Sequence, residues 1–522
     1  MIDRRRFVKD AILAGAVAAA GCGRTRSTES AVPAISSIGS FEFEELTMAN
    51  LQARIVSGEH TARSVTEGYL RRIGELDKQG PALRSIIEIN PDVLRIADAL
   101  DAERRSRGSR GPLHGIPVLL KDNVGTADSM TTTAGSLALE GSIPASDSFV
   151  AARLRAAGAI LLGKANMSEW ANFRSTQSTS GWSARGGLCR NPYVLDRNPC
   201  GSSSGSAVAT SANLCTVSIG TETDGSIVCP ANANGLVGIK PSVGLVSGAG
   251  IIPLAHSQDV AGPLTRSVMD GAILLGVLAG VNYEASLDGN GLRGARIGVA
   301  RNLFGFDSDV DKLMEAAIDS MRQNGAEIVD PVNIRTIDLF RNSELEVLKY
   351  EFKADLNSYL QSLGPSAPVK SLREVIDFNE RNRDREMPFF GQELFLQSEA
   401  KGPLTSGEYL AALRASQRLS REQGIDLVMN TNRLDAICAP TGGPAWISDF
   451  AHGDHVDGGS AAPAAVAGYP NITVPAGFIQ DLPIGISFFG RSRSEATLLR
   501  IAYAFEQATK HRRPPRFLPT SS

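Results

Sequence analysis

The sequence predicts a three-layer α/β fold, in which helices cover both faces of a central sheet. Short apolar runs alternate with helical patterns along most of the 522-residue chain, and this alternation is typical of layered α/β proteins. The strand-like runs are almost entirely apolar, as expected for strands that are buried on both faces. No linker in the body of the chain is strong enough to predict independent domains.

The elements of the first half follow in order. Thr61 is the predicted N-cap of a helix whose apolar residues recur at helical spacing. A buried strand is predicted from Ile116 to Leu120, and it stops at the charged Lys121. Ser146 is the predicted cap of the next helix, and residues 159–164 form the strand after it.

A serine-rich stretch leads into a predicted helix of small residues at 206–214 and a strand at 216–220. Another helix carries Val268, Ala272 and Leu275. The clearest amphipathic helix ends at Gly325, and its apolar positions are Val310, Leu313, Met314, Ala317, Ile318 and Met321. Residues 301–427 are rich in charge and helical pattern, and we expect them to form an insertion or cap beside the site.

Composition excludes some functions. The chain is 42% hydrophobic and 21% charged with a formal net charge of −3, and the hydrophobic and charged fractions are typical of an ordinary soluble globular protein. Lysines and arginines are not concentrated on any segment, so a nucleic-acid partner is not expected.

The first residues resemble a targeting segment. Three arginines and a short apolar run in residues 1–21 are similar to a twin-arginine export signal with a lipoprotein-like cleavage site before Cys22. We therefore expect an exported bacterial protein, periplasmic or membrane-anchored through a lipid on Cys22, with a flexible tether at 22–40. The alternative is an ordinary secretory signal in which Cys22 has no role.

The other cysteines are Cys189, Cys200, Cys215, Cys229 and Cys438. Their odd number and irregular spacing indicate neither a disulfide framework nor a zinc site. We expect most of them to be buried apolar side chains, and a single bridge between Cys189 and Cys200 is left open.

Three motifs have weaker interpretations. Gly289–Gly294 fits the GxGxxG pattern but precedes a strand, whereas a dinucleotide site needs the reverse order. Gly235–Lys240 lacks the spacing of a phosphate-binding loop. His452 and His455 lie in a Gly/Asp-rich loop without a third ligand at a telling distance. No cofactor and no metal are predicted.

Two serine-bearing turns and one lysine are the better candidates. In "NPCGSSSGSA", Ser203 would be the nucleophile of a hydrolase elbow, but the residues before it do not predict the required strand. Lys121 could act as a base if burial lowered its pKa from ~10.4 to near 7, a change of roughly 4 kcal/mol. The alternative is an exposed lysine at a strand end.

Several motifs together resemble the amidase signature family over about residues 41–516. They include "GPLHGIPVLLKDN", "NPCGSSSGSAVA", "GTETDGSIVCPAN" and "DVAGPLTRSVMDGA". The resemblance implies one domain at 41–522, built on a large mixed sheet between helices. It also implies a Ser–Ser–Lys triad that needs no histidine, metal or cofactor.

The resemblance assigns roles by position. The nucleophile falls on Ser226, the bridging serine, held in a cis peptide, on Ser202, and the base on Lys121. Ser203 corresponds to a hydroxyl that helps to hold the lysine. The oxyanion hole would be formed by the backbone N–H groups of Thr223, Asp224, Gly225 and Ser226.

The chain departs from the commonest family pattern at four positions. Cys200 and Ser204 stand where glycines are usual, Asp224 replaces a glycine, and Val228 stands where arginine is common. However, "CGSSSGS", "GTETDGSIVCPA" and "GWSARGG" together most resemble the peptide amidase branch. The expected function is therefore removal of the C-terminal amide of peptides, which releases ammonia.

Three other functions are alternatives to the hydrolysis of peptide amides. An aryl-acylamide or fatty-acid-amide hydrolase would use an apolar acyl pocket, whose candidate residues could equally pack in the core: Trp170, Phe173, Trp182, Phe389 and Phe390. An amidotransferase component would need cytoplasmic partners, which export disfavours. A non-catalytic surface lipoprotein would not need the Lys121, Ser202 and Ser226 set. The expected partner is a small-molecule or peptide amide, and the sequence does not predict the oligomeric state.

Overall fold

The computed structural model describes residues 39–365 and 367–521. The predicted export signal, Cys22 and residues 23–38 of the predicted tether lie outside these residues. The described residues contain thirteen strands: β1 Ile86–Ile89, β2 Pro117–Lys121, β3 Ile160–Ala165, β4 Trp182–Ser183, β5 Gly187–Leu188, β6 Val217–Glu222, β7 Val237–Lys240, β8 Val260–Thr265, β9 Arg296–Ala300, β10 Glu327–Val332, β11 Ala436–Pro440, β12 Asn471–Ile479 and β13 Leu482–Phe489.

Eleven of these strands form one mixed sheet in the order β1-β3-β2-β6-β8-β7-β12-β13-β11-β9-β10. The pairs β3/β2, β2/β6, β11/β9 and β9/β10 are parallel, and the other neighbours are antiparallel. Every residue of β2, β3 and β6 is buried, so other layers cover both faces of the sheet there. The predicted large mixed sheet between helices is confirmed.

Sixteen α-helices occur among the described residues: α1 Met48–Ser57, α2 Ala62–Ile73, α3 Val93–Arg107, α4 Phe149–Ala156, α5 Ser204–Ser211, α6 Val228–Ala233, α7 Val268–Ala279, α8 Ser308–Gln323, α9 Arg341–Ser362, α10 Leu372–Arg381, α11 Arg383–Glu386, α12 Glu393–Glu399, α13 Gly407–Gln417, α14 Asp426–Asn432, α15 Ala461–Ala467 and α16 Glu495–Thr509. Short 3₁₀ and π segments lie between some of them. None of the helices in this part of the chain combines the length and the apolarity that crossing a bilayer requires.

Local capping explains where two of the helices begin. The Thr61 side chain accepts the Ser64 N–H, and the Ser64 side chain accepts the Thr61 N–H in return, so the predicted N-cap of α2 is confirmed. The predicted cap at Ser146 is wrong. The Ser148 hydroxyl accepts the Ala151 N–H at 3.2 Å and begins α4, because Ser148 directly precedes the first helical residue.

The helices between β10 and β11 pack beside the carboxyl ends of the central strands. Phe352 of α9 and Phe395 of α12 are buried in a cluster with Trp170 and Phe173, which follow β3. Aromatic side chains bury large apolar areas, so this cluster anchors α9 next to the loops that follow β3 and β6. Helix α9 thereby brings the Glu344 carboxyl to the turn after β6.

Parallel pairing places the carboxyl ends of β2 and β6 side by side. Val118 of β2 pairs with Val217 of β6, and Leu120 pairs with Ile219. Because parallel strands end at the same edge of a sheet, Lys121 at the end of β2 lies beside the turn that follows β6. In open α/β sheets, ligands bind at this edge.

Helix α5 is packed too tightly to accept a side chain at Gly205. A Cβ there would overlap the carbonyl oxygens of Ser85 and Asn166. We expect Gly205→Ala to lower the free energy of unfolding by about 1–3 kcal/mol, because backbone atoms must move. Gly407→Ala is the matched control, since nothing lies within 4 Å of its Cβ position. Its effect should stay within about 0.5 kcal/mol. Urea unfolding followed by circular dichroism measures both, and equal midpoints would contradict the packing argument.

Candidate active site

The Lys121 amine is enclosed at the end of β2. Its side chain is 0% exposed, and Nζ lies 2.8 Å from Ser202 Oγ and 3.0 Å from the Thr221 carbonyl oxygen. Burial lowers the pKa of Lys121 to about 7, against the opposing charges of Asp259 and Glu222. The amine is therefore largely neutral slightly above neutral pH and can accept a proton.

Ser202 lies in a crowded turn before α5. The peptide bond between Gly201 and Ser202 is cis, as the resemblance implied. A side chain at Gly201 would overlap the Ser168 hydroxyl, so the close approach at this position requires glycine. The Ser202 carbonyl accepts the Ser168 N–H at 3.1 Å, which fixes the turn against the segment after β3.

Ser226 closes the turn after β6, directly before α6. It is 8% exposed and lines a cleft of about 360 Å³ together with Asp224 and Gly225. Gly225 has a φ of +81°, which a residue with a side chain rarely adopts. The Glu222 carboxylate accepts the N–H groups of Ile227 at 2.7 Å and Val228 at 3.0 Å, which holds the chain on the far side of Ser226.

The two serine turns contact each other through the backbone. The Ser203 N–H donates to the Ser226 carbonyl at 3.1 Å. The Ser203 hydroxyl donates to the Thr221 carbonyl at 3.0 Å, and it accepts the Thr221 N–H at 3.2 Å. Ser203 and Lys121 therefore both donate to the Thr221 carbonyl of β6. Ser203 helps to position the lysine through this shared acceptor.

A disulfide also joins the two turns, between Cys200 and Cys229, with their Cα atoms 6.0 Å apart. The pairing of Cys189 with Cys200, left open from the sequence, is therefore wrong. Cys189 is a buried free thiol, as are Cys215 and Cys438. The actual partner lies 29 positions from Cys200, and only the packing of α6 against the serine-rich turn brings it near.

Carboxyl groups surround the turn that carries Ser226. The Thr223 hydroxyl donates to Asp259 at 2.6 Å, and burial raises the pKa of Asp259 to about 6. The Gln258 amide donates to the Thr223 carbonyl at 3.2 Å and to Glu344 at 3.0 Å. Sequence reasoning missed Glu222, Asp259 and Glu344. The first two stand within or beside quoted motifs, whereas Glu344 has no local signal.

Asp224 and Glu344 form an acidic pair at the cleft. Asp224 is exposed at the cleft. Partial loss of hydration at its carboxyl group, followed by the negative charges of Glu344 and Glu222, raises its pKa. Burial also raises the pKa of Glu344. A raised pKa favours the protonated form of a carboxyl group, which can donate as well as accept hydrogen bonds.

A second cavity of about 440 Å³ adjoins the cleft, and Ala171 lines both. Trp170 and Phe352 line this second cavity, together with apolar residues of the segment 243–254. Phe173 lines a third cavity, of about 360 Å³, which Asp224 also borders.

The other aromatic candidates for an acyl pocket lie elsewhere. Trp182 packs edge-on against Phe389 and Phe390, and the Arg174 guanidinium covers the Phe390 ring. The two histidines that were considered as metal ligands contact one carboxylate. His452 Nδ1 and His455 Nε2 both lie against Asp449 Oδ2, at 2.8 and 3.0 Å.

Comparisons with known proteins cover most of the chain. The family model described as Amidase matches residues 64–499. A protein of Arabidopsis thaliana named as a probable amidase is 41% identical over 503 residues, which are 92% of this chain and 93% of that protein. A Roseiflexus sp. protein named as part of a glutamyl-tRNA(Gln) amidotransferase is 34% identical over 502 residues, covering 90% and 98% of the two chains.

Among solved structures, the native peptide amidase from Stenotrophomonas maltophilia is 48% identical to this chain. Its TM-score is 0.88, over 92% of this chain and 100% of that chain. A bacterial aryl acylamidase of the amidase signature enzymes has a TM-score of 0.74 at 21% identity, which shows a shared fold.

Proposed function

Because the chain belongs to the amidase signature family of amide-hydrolysing enzymes, we propose that Ser226, Ser202 and Lys121 are its catalytic triad. We propose further that its substrates are C-terminal amides of peptides, which it converts to the free acid and ammonia. The observation that carries the triad is the contact between Lys121 Nζ and Ser202 Oγ at 2.8 Å, inside a fully buried site where the amine has a pKa of about 7.

The reaction begins with a proton relay. Neutral Lys121 accepts the proton of the Ser202 hydroxyl, and Ser202 accepts the proton of Ser226, which attacks the amide carbonyl carbon. A serine hydroxyl needs such a base because it is a weak nucleophile on its own. The same relay then returns a proton to the departing nitrogen, since an amide nitrogen leaves poorly without one. Water hydrolyses the acyl-Ser226 intermediate by the same route.

The turn after β6 supplies the electrostatic stabilisation of the tetrahedral intermediate. Successive N–H groups at Thr223–Ser226 can point to one oxygen because Gly225 has a positive φ. Each such donor stabilises the oxyanion of the tetrahedral intermediate, and the loss of one typically costs about 3–4 kcal/mol. Glu222 and Asp259 hold the two ends of this turn.

Peptide amides are favoured by two observations. The similarity to a peptide amidase extends over nearly the whole chain, and the acidic pair Asp224/Glu344 stands next to the nucleophile, where a primary amide places its nitrogen. An NH₂ group can donate hydrogen bonds to carboxyl oxygens. Aryl-acylamide or fatty-acid-amide hydrolysis is the second candidate, because the apolar cavity of about 440 Å³ beside the cleft is large enough for such an acyl group.

Substrate preference tests the function directly. We expect the purified chain to release ammonia from N-acylated dipeptide amides at least about tenfold faster, in kcat/KM, than it hydrolyses matched anilides or fatty-acid amides. Ser226→Ala should abolish turnover and labelling by a fluorophosphonate probe, because the variant lacks the hydroxyl that gives its proton to Ser202 and attacks. Faster hydrolysis of anilides or fatty amides would favour the second candidate, and an active Ser226→Ala variant would reject the triad.

The pH dependence tests Lys121. Only the neutral amine accepts a proton, so kcat/KM should rise roughly tenfold per pH unit below pH 7 and level off above it. Asp259 and Glu222 raise the pKa of Lys121, so Asp259→Asn should move this rise to lower pH. Lys121→Ala should lose activity at every pH. A flat profile between pH 5 and pH 8, or an unmoved profile in Asp259→Asn, would contradict the base assignment.

Asp224 is expected to select the leaving group. Asp224→Gly should lower kcat/KM for primary amides while leaving anilides nearly unchanged, with a relative shift of about 1–3 kcal/mol for the lost hydrogen bond. Asp377→Gly, an exposed position on α10, is the control for handling and assay. An unchanged ratio between primary amides and anilides in Asp224→Gly would remove Asp224 from the specificity argument.

A further inference from the structure

The Cys200–Cys229 disulfide lies at the base of both serine turns. Cys200 is two residues before Ser202, and Cys229 is three residues after Ser226. The covalent bond therefore closes a loop whose two ends carry the bridging serine and the nucleophile. Both cysteines line the cleft that contains Ser226, so the bond is also part of the wall of the site.

Hydrogen bonds also hold the two turns to each other. The Ser203 N–H bonds to the Ser226 carbonyl at 3.1 Å, and the Asn234 side-chain amide bonds to the Pro199 carbonyl at 2.9 Å. Hydrogen bonds of this type fluctuate independently, whereas a covalent bond limits the separation of the turns at all times. The relay needs the Ser202 and Ser226 hydroxyls within hydrogen-bond reach of each other.

The backbone conformation at Cys200 is a second reason to expect that the disulfide positions the serine-rich turn. Its φ is +56°, in the left-handed region that favours glycine. Two hydrogen bonds support this conformation: the Cys200 N–H donates to Asn198 at 2.8 Å, and the Ser204 hydroxyl donates to the Cys200 carbonyl at 2.6 Å. The disulfide fixes the side chain as well. It thereby restrains the segment that leads to Ser202 more firmly than these two hydrogen bonds do alone.

We infer that the Cys200–Cys229 disulfide is a positioning link for Ser202 and Ser226, so that amide hydrolysis depends on its oxidised state. This inference rests on the proposed function of the two serines. The disulfide acts on the reaction through them and does not touch the substrate's reacting atoms. It also restricts full activity to an oxidising compartment, where disulfides persist.

Cys229 is the more accessible of the two cysteines in the cleft. Cys229 is half-buried, whereas Cys200 is 4% exposed. A thiolate of a small dithiol attacks Cys229 Sγ, and Cys200 leaves as a thiolate that takes up a proton. The second thiol of the reagent then attacks the mixed disulfide and releases Cys229 as its thiolate, which is likewise protonated. Two electrons reduce the protein disulfide, and the dithiol becomes its own cyclic disulfide.

The test compares kinetics of the oxidised and the reduced enzyme. The full chain is treated with dithiothreitol, and mass spectrometry after alkylation confirms free thiols at positions 200 and 229. Circular dichroism confirms the fold. We expect kcat for a peptide amide to fall roughly 10- to 100-fold, as a displacement of about 1 Å does. The KM should change less than about threefold, and re-oxidation with glutathione disulfide should restore kcat.

Matched variants separate the link from general thiol chemistry. The triple variant Cys189→Ala, Cys215→Ala, Cys438→Ala lacks every free cysteine of the described residues, and it should lose kcat on reduction as the unchanged enzyme does. The double variant Cys200→Ala, Cys229→Ala should have the low kcat before any reductant is added. If that variant fails to fold, the kcat of the reduced enzyme without substitutions is the test of the inference.

Several results would overturn the inference. They are a folded, reduced enzyme whose kcat is unchanged, a loss of activity that only accompanies unfolding, and a loss that appears in KM alone. If the disulfide resists reduction, an unchanged kcat in the double variant would overturn it equally. By contrast, an oxidised enzyme that neither hydrolyses amides nor reacts with a fluorophosphonate at Ser226 would reject the proposed function itself.

Discussion

The site depends on one buried amine. Strand β2 lies between two parallel neighbours and is buried along its whole length, so the side chain at its end has no access to bulk water. Taking a lysine out of water disfavours its charged form. At Lys121 this effect outweighs the opposing charges of Asp259 and Glu222. A fold that left this strand end open would leave the amine protonated and unable to act as a base.

Burial alone does not distinguish this lysine. Lys164 and Lys240 are also fully buried, and burial lowers the pKa of each to about 8. Lys164 donates to the Val124 carbonyl and the Thr132 hydroxyl, and Lys240 donates to two backbone carbonyls. Lys121 differs in its partner, because Ser202 belongs to a turn that is bonded directly to the turn of a second serine. The proposed chemistry therefore depends on the contact between the turns as much as on the pKa of the lysine.

The surroundings of Ser226 combine a firmly held turn with an acidic pair whose pKa values are raised. Glu222 and Asp259 fix the turn that carries Ser226, and the disulfide and the Ser203 N–H fix it against the serine-rich turn. On the open side, Asp224 meets Glu344 from α9. The helices between β10 and β11 thus complete one wall of the cleft, and the edge of the sheet supplies the proposed reacting groups.

Much of this was determined by the sequence alone. Thr61 as a cap, the buried strand ending at Lys121 and the amphipathic helix before Gly325 depend on residues a few positions apart, so local periodicity and capping suffice to predict them. The family motifs likewise lie in short continuous stretches. Only the tertiary structure decided that Cys200 pairs with Cys229 and that Gln258 reaches Glu344, 86 positions away. Contacts of that kind leave no periodic signal, because they arise from the packing of whole elements against each other.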